Sequence, residues 1–134
     1  NTLNAKINSY LKLQFGDKMN EQQISGLTSQ ITSPWMVYFL KFDPASALEK
    51  VKCPVLVLNG DKDVQVPADV NLDAIKKSLV KAGNSKITIK SLPNLNHMFQ
   101  ECKTGLPDEY GTIEQTFSPI ALEETSKWIL VQVK

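Results

Sequence analysis

One histidine and two nearby aspartates carry most of the chemistry that the residue types of this chain allow. His97 is the only imidazole among 134 residues, and Asp61 and Asp63 follow directly on an apolar run in "PVLVLNGDKDVQVPA", Pro54 to Ala68. An aspartate that accepts a hydrogen bond from one imidazole nitrogen fixes the tautomer and the ring orientation. The other nitrogen is then free to take a proton from a hydroxyl. His97 with either Asp63 or Asp61 is therefore the candidate acid–base pair. Each also has a plainer explanation, because Asp and Gly dominate turns for local hydrogen-bonding reasons.

The elements that must position this pair are legible around it. "VLVLN" is a continuous, β-branched-rich run of strand length between Pro54 and Gly60. A strand apolar on both faces belongs to a parallel sheet covered on both sides. Pro67 stands where a helix would open, and Leu72, Ile75, Leu79 and Ala82 recur at helical spacing until Gly83 ends the pattern. "KITIKSL", Lys86 to Leu92, alternates Ile87 and Ile89 with polar neighbours and reads as a second strand. Strand, helix and strand within about forty residues make a βαβ unit with parallel strands. The carboxyl ends of such strands share one edge, where α/β folds place their sites. A loop from Pro93 to Phe117 follows, with His97 near its start, and Ser118 and Pro119 open a final helix.

Residues 1–50 have a different character. Leu3, Ile7, Tyr10 and Leu11 are spaced for a first helix that Gly16 stops, and Ser33–Pro34 and Asp43–Pro44 each carry the signature of a helix start. The expected organisation is a helical segment over 1–50, followed by an α/β portion over 51–134. Trp35 and Phe39, with Tyr38 and Phe42, are candidates to line an apolar pocket, and Phe99 beside the histidine is another. The same spacing in the 35–42 segment also fits ordinary helix packing.

Composition narrows the classes. The cations number 15, all lysine, against 14 acids, giving a net charge of +1. No basic block is present, which argues against a nucleic-acid partner. The longest apolar run, Trp35 to Leu40, is far short of a membrane span. Cys53 and Cys102 with one histidine cannot furnish a four-ligand zinc site, and they read as buried or spectator thiols rather than a bridge. The first residue is Asn1, with no initiator methionine or signal-peptide pattern, so the sequence is expected to be an excerpt of something longer. It carries no indication of compartment.

The segment "PVLVLNGDKDVQVP", then a helix, a strand and "LPNLNHMFQ", resembles the C-terminal part of a serine hydrolase of the α/β-hydrolase superfamily, in its carboxylesterase and prolyl-oligopeptidase-like branches. "SPWMVYFLKFDP" resembles a segment that precedes this strand in esterase-like members, so the likeness spans about residues 33–134. It implies that Gly60, Asp63, Val66 and Pro67 match a Gly-x-x-Asp-x-x-Val-Pro setting with Asp63 as triad acid. Asn96, His97, Met98 and Phe99 match the loop of the triad histidine. Acid before histidine is the chain order that such enzymes use. Their nucleophile is a serine in Gly-x-Ser-x-Gly, and no such motif occurs in this sequence.

The resemblance implies an esterase acting on a small ester or acyl substrate, with no metal or organic cofactor and with its serine outside these residues. By themselves these residues are then expected to be inactive. Two alternatives stay open: a serine peptidase of the prolyl-oligopeptidase type, and a noncatalytic α/β binding or interaction module. Two strands alone leave a bare sheet edge, through which two copies are expected to pair.

Overall fold

The computed structural model describes residues 2–133. Its contacts divide the chain into two compact units, Asn1–Asp43 and Pro44–Lys134.

The first unit is helical: α1 (Thr2–Phe15), α2 (Glu21–Ile31) and α3 (Pro34–Lys41). The cap signals explain its boundaries. Asn20 accepts from the Gln23 amide while the Gln23 side chain accepts from the Asn20 amide, a reciprocal capping box at the start of α2. Ser33 accepts from the Met36 amide, with Pro34 in the first turn of α3. Leu11 and Ile24 are buried where α1 packs on α2. Within this unit α3 packs on α2. Its aromatics do not form the core that helical spacing suggested: Trp35 stacks on Phe39 and Tyr38 lies against Phe42, all largely exposed. A helix apolar around its whole circumference cannot bury every face against one neighbour.

The second unit is the α/β portion. It runs α4 (Pro44–Leu48), β1 (Val55–Gly60), α5 (Ala68–Lys81), β2 (Ile87–Leu92), a 3-10 turn over Pro107–Thr112, and α6 (Pro119–Gln132). Because α4 packs on α5, it goes with the sheet rather than with the helices before it. The strands are parallel, in register from Val55 opposite Ile87 to Gly60 opposite Leu92.

Side chains alternate across the two faces of the sheet. Ile89 and Ser91 face a groove beside Leu72 of α5. On the other face α6 takes the polar positions of β2: Trp128 donates its indole N–H to Thr88 Oγ1 at 3.0 Å, and Glu124 pairs with Lys90. Leu92, Leu95 and Ala121 form the buried cluster on that side, with Leu58 and Phe99 packed against it. Each helix thus covers one face.

The covering is incomplete, which differs from the fully buried strand that the sequence suggests. Val55 to Leu58 are only half-buried, and burial is complete only at Asn59 and Gly60. Among the described residues each strand has a single paired neighbour, so its second edge contributes no shielding. The cysteines are unbridged in this structure, Cys53 exposed and Cys102 half-buried. Among the described residues no helix is long and apolar enough to cross a membrane.

Candidate active site

The site lies where the two strands end. After Gly60 the chain turns tightly, with the Asp63 amide donating to the Gly60 carbonyl at 3.2 Å. Two further backbone bonds tie this turn to the segment leaving β2: the Asp61 amide donates to the Leu92 carbonyl at 2.9 Å, and the Lys62 amide to that of Leu95 at 3.1 Å. The two loops are thereby laced together before any side chain takes part.

Gly60 makes that approach feasible. A Cβ at this position would lie 2.1 Å from the Leu95 carbonyl oxygen and 2.6 Å from its carbon. Only a residue without a side chain fits there.

Asp63 is buried, with a side chain 6% exposed. Its Oδ1 accepts from the amides of Gln65 at 2.9 Å and Val66 at 2.8 Å, which closes the turn that leads into α5. Its Oδ2 lies 3.0 Å from His97 Nδ1. The Asn59 amide nitrogen also donates to Oδ2, at 3.3 Å. An ionised carboxylate offers only acceptors, so Nδ1 of a neutral His97 carries the proton and Nε2 its lone pair. Burial pushes the Asp63 carboxyl up. The Val66 amide, the His97 side chain and the Gln65 amide outweigh that, leaving it below the usual carboxylate range.

His97 is held by an unusually constrained loop. The Asn96 side chain is fully buried, and its Oδ1 accepts from the amides of Met98 and Gln100, both at 2.9 Å. The same side chain donates to Gln100 Oε1 at 3.1 Å. Two non-glycine residues on either side adopt left-handed backbone, Asn94 at φ 60° and Phe99 at φ 55°. Asn tolerates that region, whereas a bulky residue is seldom found there and must be held by its surroundings. The Phe99 carbonyl accepts from the Ser118 amide at 2.7 Å, and its ring stacks on Phe117 with centroids 5.4 Å apart. His97 itself is 39% exposed at its side chain, and Nε2 has no hydrogen bond to any described residue.

The later part of the same loop folds back as a strap over the acidic turn. The Lys62 ammonium donates to the carbonyls of Cys102 and Lys103, and Gln65 donates to the Tyr110 hydroxyl at 2.8 Å. Gly105, at φ 78°, lets its backbone pass so close to the Lys62 carbonyl that a Cβ would lie 1.9 Å from it. Glu109 secures the strap by accepting from the amides of Lys103, Thr104 and Gly105.

Comparison with family models, with curated proteins and with solved structures finds no match. The chemistry of the site therefore stands on its geometry.

Of the residues singled out in the sequence, Asp63 and His97 are brought into direct contact. Asp61 is not part of that contact, because its Oδ1 accepts from the Asn94 amide at 2.6 Å and anchors the histidine loop instead. Phe99 adjoins the site, with its ring turned to Phe117 and the buried cluster. Trp35 and Phe39 lie in the first unit, 66% and 58% exposed. A groove of about 760 Å³ opens beside Asp63 between α5 and β2, lined among others by Asp61, Pro67, Leu72 and Ile89, and Phe99 is not part of its wall. Among the described residues no group of three or more His, Cys, Asp or Glu side chains is placed to hold a metal ion.

Sequence reasoning passed over Asn59, although a polar side chain inside an otherwise apolar strand is a signal that it has buried partners to satisfy. Asn96 enters the sequence only as a match to the histidine loop, and its part in shaping that loop depends on contacts that only the folded chain reveals.

Proposed function

We propose that this chain is the C-terminal part of a serine hydrolase of the α/β-hydrolase type, most simply an esterase, in which Asp63 and His97 serve a serine supplied from outside these 134 residues. The observation that carries the proposal is the 3.0 Å contact between a buried, ionised Asp63 and Nδ1 of a histidine whose opposite nitrogen is open. The parallel βαβ arrangement with both groups at the carboxyl ends of its strands supports it. So does the unpaired edge of β1, at which the remainder of a larger sheet would continue.

The chemistry follows from the two nitrogens. Nε2 accepts the serine proton as the serine oxygen attacks the carbonyl carbon of an ester. Asp63 stabilises the imidazolium so formed without itself taking the proton. The proton on Nε2 passes to the departing alkoxide as the C–O bond breaks, leaving an acyl-serine. Water attacks that acyl group with His97 again as base, which releases the acid and restores the serine. The donors that stabilise the oxyanion belong, like the serine, to residues outside this chain.

Turnover of a simple aryl ester tests the assignment in a polypeptide that contains these residues together with the serine. His97→Ala is expected to lower kcat by several orders of magnitude with little change in KM, since the imidazole acts in the transition state. A variant retaining more than a tenth of the activity would place the general base elsewhere.

A further inference from the structure

Asn59 is a buried side chain whose hydrogen bonds serve both the acid and the turn that carries it. It occupies the last position but one of β1 and is only 8% exposed. Its side-chain nitrogen lies 3.3 Å from Asp63 Oδ2, 3.1 Å from the Val66 carbonyl and 3.2 Å from the Gly60 carbonyl. All three partners can only accept, which settles the orientation of the amide: its NH₂ must face them and its oxygen must face away. Reversing it would set four oxygen acceptors against one another in a buried space.

This has a consequence for the carboxylate. Oδ1 of Asp63 is pinned by the Gln65 and Val66 amides. Rotation about the Cβ–Cγ bond would sweep both oxygens off their donors, so these two bonds resist it from the Oδ1 side alone. The donor on Asn59 opposes that rotation from the Oδ2 side, because it and His97 Nδ1 meet the same oxygen. With four donors on two oxygens, the carboxylate has no free acceptor site and one favoured plane.

We infer that Asn59 is a positioning residue of the Asp63–His97 pair, holding the carboxylate plane so that Oδ2 meets Nδ1 and the neutral imidazole keeps its proton there. The catalytic meaning rests on the hydrolase reading, whereas the positioning can be tested without it. The competing role for Asn59 is that of a fastener, tying Val66 back to the end of β1 with no influence on the histidine.

His97 is the only histidine, so its ring nitrogens give unambiguous signals in a ¹⁵N NMR spectrum of the uniformly labelled chain. Above the imidazole titration, the unmodified chain is expected to hold the Nδ1–H tautomer almost exclusively. Asn59→Leu, similar in shape but without a donor, should convert this into a mixture of the two tautomers. In an Asp63→Asn background the same substitution should add no further change, since the partner it acts through is gone.

An unaltered tautomer in Asn59→Leu, with only a lower melting temperature, would reduce Asn59 to a fastener and overturn the inference. An unaltered tautomer in Asp63→Asn would overturn the acid–base pair itself, so the two failures are distinguishable. Should Asn59→Leu not fold, the unmodified chain decides. The Asn59 side-chain NH₂ protons must then shift with the same midpoint as His97, and a flat response across that titration would overturn the inference.

Discussion

Gly60→Ala is expected to separate Asp63 from His97 while leaving both residues in the chain. The added methyl carbon would stand 2.1 Å from the Leu95 oxygen and 3.0 Å from that of Asn96. Neither is the end of a flexible side chain; both are backbone atoms of the residues immediately before His97. The Leu95 carbonyl is moreover held by the Lys62 amide, so it cannot retreat without unlacing the two loops. Overpacking of this kind costs about 1–3 kcal/mol in stability. The larger effect falls on function: a shift of about 1 Å in a catalytic group can cost ~10²-fold. The expected result is a lowered denaturant midpoint, loss of the Nδ1–H signature of His97, and ester turnover reduced about as far as in His97→Ala. Gly26 supplies the contrast, because a Cβ there meets nothing within 4 Å. In the middle of α2 its replacement by alanine is expected to leave the site untouched and to add roughly 0.5–1 kcal/mol of stability.

Asp63→Asn is the second large effect, and it separates charge from shape. Four donors converge on this carboxylate, from Asn59, Gln65, Val66 and His97. An amide of the same size brings two N–H groups of its own into that cage. At least one buried donor then faces another, at a cost of about 1–3 kcal/mol. His97 can relieve the conflict only by turning Nδ1 into an acceptor. That places the proton on Nε2, the nitrogen that must be bare to activate a serine. Turnover is therefore expected to fall by about 10⁴-fold, as loss of the correct tautomer does in Ser-His-Asp enzymes.

The same substitution has a pH signature. The folded state holds the Asp63 carboxyl below its ordinary value. A lowered carboxyl contributes stability above its unfolded pKa, and that contribution disappears as the pH falls through the folded value. The gap in melting temperature between the unmodified chain and Asp63→Asn should thus be widest near neutrality and narrow on acidification below about pH 4, where an unperturbed aspartate titrates. A gap that widens on acidification would mean that Asp63 is not held as the ionised partner.

Much of the second unit is legible in its sequence because its signals are local. Ser118 with Pro119 opens α6, the apolar run makes β1, and Gly83 at φ 73° ends α5. Each depends on neighbours a few residues away. The placing of Asp63 near His97 is legible for a different reason: parallel strands force their carboxyl ends to one edge whatever the loops contain.

What escapes the sequence is set by contacts across the fold. The left-handed backbone of Phe99 is bracketed by hydrogen bonds between Asn96 and Gln100, and it is anchored by the Ser118 amide and the Phe117 ring from nearly twenty residues away. By residue type Asp61 and Asp63 look equivalent in the turn, and only the resemblance puts Asp63 first; that Asp61 anchors a loop through the Asn94 amide while Asp63 meets the imidazole is seen only in the folded chain. The exposed aromatics of α3 reflect the same limit. Helical spacing shows that a face is apolar, not what lies against it.

The central claim is that His97, held by Asp63, activates a serine that this sequence does not contain. Fluorophosphonates react with activated serines, and mapping the modified peptide locates the residue. In the polypeptide that joins these 134 residues to the serine, one equivalent of label is predicted on a single serine outside them, with labelling slowed by orders of magnitude in His97→Ala. Stoichiometric label on a serine within residues 1–134, or labelling indifferent to His97, would contradict it.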